Sequence, residues 1–302
     1  MHLLLTALAV VHGALCGLLV PRAVFRLAVE PEEPWRTRCP SGHPLTGTAR
    51  GWLGPARCRE CAGTALPTGA APSPGAVAAQ DGSTLSADVA PPVSGADTVR
   101  PPGADPRTAS GGPWPVRPGG RYGPSGAMAA TVVALVCGGL AATTGARPEL
   151  AVWLLLVPFL CVLALVDLAV HRLPDVLTLP MPAAAVALLG AAALLPGHAG
   201  SWTGALFGGL GLGAAYLVLF LIHPSGMGFG DVKLALTLGV ALGWYGWPLL
   251  FAGAFAGFLF GALYGMGLLV ARRASRKTAL PFGPFMMAGT LLALMLGGLG
   301  AG

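Results

Sequence analysis

The sequence predicts an all-α protein, a polytopic transmembrane helical bundle of about eight membrane segments with a cytoplasmic insert after the first. Charged residues make up 10% of the 302 residues and hydrophobic residues 54%, with a mean hydropathy of +0.71. A soluble domain usually carries about 25% charged residues. From about Met128 onward the chain is a series of apolar runs long enough for helices to cross a bilayer. The runs lack the apolar/polar alternation of a transmembrane β-barrel. We therefore expect α-helices, whose backbone groups form hydrogen bonds within the segment.

Eight segments are candidates for membrane helices, at about 2–20, 127–146, 149–167, 176–196, 202–222, 232–244, 247–270 and 283–300. The sixth is short for a full span and is interpreted as a half-helix that continues from a loop. The first is interpreted as a retained anchor rather than a cleaved signal. No basic region precedes it, and Gly13-Ala14-Leu15-Cys16 is a poor cleavage site.

The placement of Lys and Arg predicts the orientation. Eleven of the 18 basic residues lie between Pro21 and Gly126, and a further cluster lies at 272–277. Counting the segments puts both stretches on one side, which the positive-inside tendency makes the cytoplasm. We therefore expect a multi-pass protein of the inner (plasma) membrane whose partner is the lipid bilayer. The net charge of +6 is interpreted as a topological signal, and no nucleic-acid partner is expected.

The insert, residues 21–63, carries a pattern of the form C-x3-H-x14-C-x2-C. Thiolate and imidazole ligands at this spacing suit a tetrahedral zinc ion. The ligands of this predicted knuckle are Cys39, His43, Cys58 and Cys61. His43 is its weakest member, because a C-x2-C first pair is commoner, and unrelated thiols in a flexible loop are the alternative. Residues 64–126 are rich in Ala, Pro and Gly without apolar periodicity, which predicts a disordered linker.

Four acids follow Met128: Glu149, Asp167, Asp175 and Asp231. Glu149 lies in a short link and is interpreted as a solvated charge at a helix start. Asp167 ends an apolar run, and Asp231 follows three glycines that permit positive φ or close backbone approach. Counting segments puts both on the cytoplasmic side. Two such carboxylates can form an aspartyl dyad, in which one takes a proton from water and the other donates one. A helix cap, an interfacial charge or a proton relay remains the alternative for either acid.

Three motifs in this order resemble those of a known family. Gly228–Lys233 resembles the G-x-G-D-x-K signature of the prepilin leader peptidases, a branch of the GxGD membrane aspartyl proteases. Residues 167–180 resemble the other aspartate box of that family, and 280–285 are similar to its closing motif. The resemblance covers about residues 150–300. It implies that Asp167 and Asp231 are the catalytic pair of an aspartic endopeptidase that needs no cofactor for peptide hydrolysis.

The resemblance also implies the substrates, which are prepilin-like or pseudopilin-like membrane proteins of type IV pilus or secretion systems. Each would be cut after a short basic leader at the cytoplasmic membrane face. Supporting roles fall on six residues, Gly228, Gly230, Lys233, Asp175, Pro281 and Gly283. Asp175 is interpreted as a helix N-cap. Lys233 would bias the nearby acid toward ionisation or reach to the interface, and the turn containing Pro281 and Gly283 would shape a substrate groove.

The amino-terminal part departs from the family pattern. In many members the first span ends in a G-S-F-L-N-V-like segment associated with N-methylation of the new terminus. Here the region from Gly17 to Arg26 lacks the Ser and Asn and contains Pro21. An S-adenosylmethionine-dependent activity is therefore in doubt.

Two other classes of function remain alternatives at this point. An ion-coupled transporter would use the intramembrane acids as a relay, but it predicts matching repeat halves, and the glycine-rich segment at 226–231 has no counterpart earlier in the chain. A non-enzymatic pilus or secretion assembly factor would dock its partners through the Cys/His loop. Within the enzyme class, an intramembrane protease with other substrates is a third reading.

Overall fold

The structure is a computed structural model that describes residues 2–30, 32–63, 120–224, 226–271 and 280–300. These residues form helices joined by short links and contain no β-strand beyond two isolated bridges. The helices are α1 (His2–Leu27), α2 (Thr48–Gly51), α3 (Arg59–Gly63), α4 (Gly126–Thr144), α5 (Pro148–Val170), α6 (Asp175–Thr178), α7 (Pro180–Ala193), α8 (Trp202–Ile222), α9 (Phe229–Trp244), α10 (Trp247–Val270) and α11 (Gly283–Gly300). The predicted all-α helical bundle is confirmed.

Seven helical segments in the described part of the chain are long and apolar enough to cross a membrane, when α6 and α7 count as one span. The sixth predicted segment is α9, which has 16 residues and is shorter than the other spans. The bounds of α8, α10 and α11 agree with the predicted segments. α1 instead continues past the predicted end at residue 20, through Pro21, to Leu27.

Close contacts between glycine-bearing faces hold the bundle together. A Cβ built on Gly13 would lie 2.6 Å from the Val133 carbonyl oxygen, and one built on Gly17 would lie 2.6 Å from that of Ala129. α1 therefore meets the backbone of α4, the geometry that small residues four apart permit between membrane helices. Gly208 of α8 and Gly239 of α9 face each other in the same way. α9 packs against α7, α8, α10 and α11, so a short helix that is apolar almost all round lies inside the bundle.

The chain turns sharply after α5. His171 caps this helix in the left-handed conformation, with φ 52°, and Pro174 precedes α6. A second break follows at Leu179, where Pro180 begins α7. These breaks bring the segment after Asp167 back across the end of the bundle.

The insert is attached to the end of α1 by basic residues. Arg26 is buried, donates to the Arg50 carbonyl and lies 4.2 Å over the ring of Trp52. Arg22 donates to the Thr46 carbonyl at 2.8 Å. Two of the residues that predicted orientation therefore also fasten the insert. The basic cluster at 272–277 lies outside the described residues.

The predicted disordered linker, 64–126, lies largely outside the described residues, because the description resumes at Gly120. There the Cys58 amide donates to the Gly120 carbonyl and the Tyr122 amide to that of Ala56. Gly120–Tyr122 thus pair with the Cys/His segment, and α4 begins at Gly126. The last residues of the predicted linker belong to the insert and to this helix.

The insert lies at the same end of the bundle as the carboxyl end of α5. Val24 and Leu27 of α1 pack with Val162 and Val166 of α5, and Trp52 of the insert joins this cluster. Asp167 follows Val166 directly. The first aspartate box therefore begins beside the insert.

Candidate active site

Asp167 and Asp231 line one cavity of about 1070 Å³ at the insert end of the bundle. Their exposed fractions are only 5% and 8%, and the two carboxylates interact electrostatically. The fold therefore brings together two acids that are 64 positions apart in the sequence. The cavity also contains residues of all three motifs, including Asp175, Gly228, Gly230, Lys233 and Pro281.

Each carboxylate accepts a hydrogen bond from a glycine at a helix start. The Gly283 amide, at the first residue of α11, donates to Oδ2 of Asp167 at 3.0 Å. Asp231 is the third residue of α9, and its carboxylate accepts from the amide of the N-cap residue Gly228. Amides at a helix N-terminus favour negative charge. Both acids thus have a fixed backbone donor that orients the carboxylate.

The glycines of the motifs serve close approach rather than positive φ. Gly228 has φ −75°, and Gly226, Gly228 and Gly230 all lie outside the set of positive-φ glycines. A Cβ on Gly230 would lie 3.0 Å from Cβ of Leu173, and one on Gly283 would lie 2.9 Å from Oδ2 of Asp167. The expectation of positive φ in this segment is wrong, whereas the expectation of close approach is confirmed.

The structure changes the interpretation of Asp175 and Lys233. Asp175 is the first residue of α6, and the N-cap position belongs to Pro174, so the predicted N-cap role is wrong. Its Oδ1 lies 2.6 Å from Nζ of Lys233. The ammonium also lies 5.0 Å from the centre of the Phe229 ring. The ion pair observed for Lys233 is therefore with Asp175.

Sequence reasoning missed the phenylalanines that line the cavity, Phe258 and Phe282, and the tyrosine that packs against them. Tyr216 of α8 is buried, interacts electrostatically with Asp231 and stacks on Phe258 at 5.6 Å. Phe282 packs against both rings. The sequence feature that could have indicated Tyr216 is a tyrosine hydroxyl within an otherwise apolar span. His171 was also passed over, although it lies in the first aspartate box and interacts electrostatically with Asp167.

Glu149 is not the solvated charge that the sequence predicted. The side chain is completely buried, and its Oε1 accepts from the Ala199 amide at 3.1 Å. Its other carboxylate oxygen has no hydrogen-bond partner within the described residues. The link between α7 and α8 covers it, a tertiary contact that local sequence does not reveal. Glu149 lies at the other end of α5 from Asp167 and does not line the cavity.

The four predicted metal ligands converge in the insert. One ligand atom from each of Cys39, His43, Cys58 and Cys61 lies within 4.8 Å of all the others. Nδ1 of His43 is 3.2 Å from Sγ of Cys61 and 3.6 Å from Sγ of Cys39 and of Cys58. Bonds of 2.0–2.3 Å to a tetrahedral zinc ion imply ligand separations of roughly 3.5–3.8 Å. The donor set and its spacing fit zinc.

The surroundings of the cluster also suit a metal. Nε2 of His43 lies 3.4 Å from Glu60, the carboxylate partner that often fixes the ring of a metal-binding histidine. Burial acts to raise the pKa of the Cys58 thiol. Hydrogen bonds from the Cys61 backbone and from the neighbouring thiols outweigh it and lower the pKa to about 7. Since the thiolate is the form that binds a metal, this shift favours binding.

Residues 154–266 match the model of the type IV leader peptidase family. The prepilin leader peptidase/N-methyltransferase of Aeromonas salmonicida (strain A449) is 35% identical over 163 residues, which is 48% of each chain. The protein of that name from Pseudomonas aeruginosa is 34% identical over 172 residues, 54% of this chain and 56% of the relative. No solved structure matches the chain.

A third relative of the same name, from Bacillus subtilis (strain 168), is 37% identical over 110 residues, 35% of this chain and 42% of its own. The matched region thus spans about half the length of the relatives from Aeromonas salmonicida and Pseudomonas aeruginosa. The family match contains both aspartates and the G-x-G-D-x-K segment, and it ends before Pro281 and Gly283. The resemblance drawn from the motifs is confirmed over residues 154–266, which are similar to the type IV leader peptidase family.

Proposed function

We propose that the protein is a membrane aspartyl endopeptidase that removes the leader from type IV prepilin-like or pseudopilin-like precursors. The observation that carries the proposal is that Asp167 and Asp231 are buried in one cavity and interact there. The family match supports the same reaction class. The assembly-factor alternative does not require a pair of acids in a cavity. The transporter alternative would use the acids as a relay, but it predicts matching repeat halves, and the segment at 226–231 has no counterpart earlier in the chain.

The proposed chemistry is general acid–base hydrolysis without a covalent intermediate. One aspartate is ionised and takes a proton from water as the water attacks the scissile carbonyl carbon. The other is protonated and donates to the carbonyl oxygen, which gives a gem-diol. As the gem-diol collapses, the carbon–nitrogen bond breaks, the first aspartate gives the proton taken from water to the leaving nitrogen, and a hydroxyl proton returns to the second aspartate. Two close carboxylates favour this shared-proton state, because both cannot ionise cheaply. The Gly283 and Gly228 amides would keep the carboxylates in place during the exchange.

The membrane face and the substrate geometry follow from the same site. The cavity lies at the end of the bundle that carries the insert. The basic residues of the insert favour a cytoplasmic location for this end by the positive-inside tendency. A precursor would then present its leader from the cytoplasm, while the apolar segment after the cut stays in the bilayer.

We assign the insert a structural zinc ion rather than a part in catalysis. The ligand set would be Cys39, His43, Cys58 and Cys61, whose donor atoms cluster at suitable separations. Bound zinc would supply folding energy to a segment with little apolar core of its own. The peptidase step would need no metal.

The names of the relatives include N-methyltransferase, and we propose no such activity for this chain. The Gly17–Arg26 region has a scaffolding function instead: Gly17 packs on α4, and Arg22 and Arg26 fasten the insert. Incubation of the cleaved product with labelled S-adenosylmethionine tests this point directly. Incorporation of a methyl group at the new terminus would overturn it.

The function is tested by co-expressing a pilin-like precursor with the wild type, Asp167→Asn or Asp231→Asn. The wild type should produce the shortened product, and both variants should lose processing while they remain in the membrane at normal abundance. Glu149→Gln is the matched control. It alters a third buried acid, keeps the acceptor for the Ala199 amide and should process normally.

Either aspartate variant cleaving at the wild-type rate would remove that residue from the mechanism. Loss of cleavage in the Glu149→Gln control as well would mean that amide substitution of any buried acid damages the fold. A wild type that cleaves no precursor would refute the proposed substrate class.

A further inference from the structure

The ion pair between Asp175 and Lys233 joins the two segments that carry the proposed catalytic acids. Nζ of Lys233 lies 2.6 Å from Oδ1 of Asp175. Asp175 follows Asp167 by eight positions, and Lys233 follows Asp231 by two positions on α9. This side-chain link between the two aspartate boxes therefore lies close to both acids in the sequence, and both partners line the cavity.

A second contact joins the same two segments. Leu173, which is 6% exposed, packs against Gly230 so closely that a Cβ there would lie 3.0 Å from Cβ of Leu173. The short link from His171 to Pro174 is thus held against the first turn of α9 on both sides of Pro174. Any movement of the link would alter the position of α9 relative to the end of α5.

The link needs such contacts because the helix is broken there. His171 takes a left-handed conformation at the end of α5, and Pro174 cannot donate a backbone hydrogen bond. α6 is a single turn. The path between Asp167 and the next long helix therefore depends on side-chain contacts to α9 more than on helical hydrogen bonds.

The surroundings of the pair indicate a local role. An ion pair in open water contributes little to stability. The Asp175 side chain is 58% exposed, so removing the pair should not unfold the bundle. Lys233 is only 17% exposed and its ammonium lies near the Phe229 ring, which restricts it to this position. A restrained cation with a single close carboxylate is suited to fixing geometry.

We infer that Asp175 and Lys233 are positioning residues that hold the link and the first turn of α9 together, and so set the relative placement of Asp167 and Asp231. This inference rests on the proposed function. On this inference the pair affects the rate through the placement of the two acids, and neither residue needs to touch the peptide. It also gives the Lys of the G-x-G-D-x-K segment a partner in the other motif.

The test compares Asp175→Asn, Lys233→Met, Lys233→Arg and the charge swap Asp175→Lys/Lys233→Asp in cleavage of a purified pilin-like precursor. Because small misplacement of reacting groups costs about tenfold to a hundredfold in rate, each neutral variant should lower kcat by that much while KM stays near the wild-type value. Lys233→Arg and the swap should recover most of the loss. Glu32→Gln, which removes an exposed acid of the insert, is the matched control.

A second measurement does not depend on activity. Leu173→Cys introduces a thiol at this buried position, which is offered a water-soluble maleimide, and its labelling is followed by peptide mass spectrometry. Labelling should be slow with the native pair and with the swap, and several-fold faster in either neutral variant. Faster labelling of the neutral variants would reveal a loosened link even in a background that carries Asp231→Asn.

Neutral variants with wild-type kcat, or a swap no better than the worse single variant, would overturn the inference while leaving the proposed function intact. Equal labelling in all backgrounds would also overturn it. A wild type that fails to cleave while labelling still follows the pair would refute the proposed function alone.

Discussion

At the scale of single residues, the position of each candidate catalytic acid depends on a glycine. Gly283 is buried, and its amide is the hydrogen-bond donor to Asp167 at 3.0 Å. Such contact is possible because the backbone comes closer than a side chain would allow. The glycine therefore contributes an amide and the space for a carboxylate at once.

Gly283→Ala should impair cleavage without removing either acid. The added Cβ would lie 2.9 Å from Oδ2 of Asp167, so the carboxylate or the start of α11 must move. Displacement of a reacting group predicts a loss of about tenfold or more in kcat. Steady-state cleavage kinetics measure it. The control is Gly300→Ala on the same helix, where an added Cβ meets nothing within 4 Å. Equal kinetics of the two variants would contradict the tight contact.

The sequence identified both aspartates because each interrupts or adjoins an apolar run within a recognisable motif. It named Gly283 as a supporting residue but could not identify it as the donor to Asp167, since the two are 116 positions apart. The same limit explains the error at Glu149, which adjoins a Pro in a short link yet is covered by residues around Ala199. Local patterns indicate where an acid occurs, and only the packing decides whether it is solvated.

At the scale of helices, the ends of α8, α10 and α11 were predictable because a polar residue or a glycine marks each start. Ser201 caps α8 through its hydroxyl, and Gly246, with φ 106°, precedes α10. The continuation of α1 to Leu27 was missed because Pro21 normally ends a helix. Packing of Val24 and Leu27 on α5 favours the longer helix, and that contact is tertiary.

Gly17→Leu should loosen the contact between α1 and α4. A Cβ at this position would lie 2.6 Å from the Ala129 carbonyl oxygen and from Cα of Ala130, so a larger side chain separates the helices. Overpacking of this kind costs about 1–3 kcal/mol. Thermal unfolding in detergent measures the loss. Leu15→Ala, a change at a residue 59% exposed on the same helix, should leave the midpoint almost unchanged. A Gly17→Leu variant as stable as the wild type would mean that the two helices can separate freely.

At the scale of the whole molecule, the insert and the bundle depend on different interactions. The insert has a small cluster of buried residues beside its Cys and His ligands, whereas a large apolar core connects the membrane helices. Damage to the metal site should therefore loosen the insert first. Arginine hydrogen bonds would keep it attached to α1, from Arg22 and Arg26 of this helix and from Arg36 of the insert to the Phe25 carbonyl. The packing of Phe25 would also hold it.

Purified protein should contain about one zinc ion per chain, because the four donors form one tetrahedral site. Cys58→Ser should lose most of this zinc and become sensitive to protease within the insert. Elemental analysis and limited proteolysis measure the two effects. Cys16→Ser removes a thiol from α1 outside the cluster and should keep the zinc. Normal zinc content in the Cys58→Ser variant would place the metal elsewhere.

The end of the bundle away from the insert is closed by hydrogen bonds from polar groups. Arg147 donates to the Gly298 carbonyl, and the Ser201 amide donates to that of Trp244. Glu149 joins this set through the Ala199 amide. These contacts connect the start of α5 to the end of α11 and to the link before α8. The buried acid thus fastens a loop at the end opposite the cavity.

Glu149→Leu should destabilise the bundle by about 1–3 kcal/mol, because it removes the hydrogen bond from the Ala199 amide to a buried carboxylate. Glu149→Gln keeps an oxygen for that amide and should unfold close to the wild type. Detergent unfolding curves of the three proteins give the difference, and cleavage by the folded Leu variant should persist because the cavity is at the other end. Equal stability of the Glu149→Leu and Glu149→Gln variants would show that the carboxylate does not fasten the link. Loss of cleavage in a folded Glu149→Leu variant would show that this end of the bundle is coupled to the candidate site.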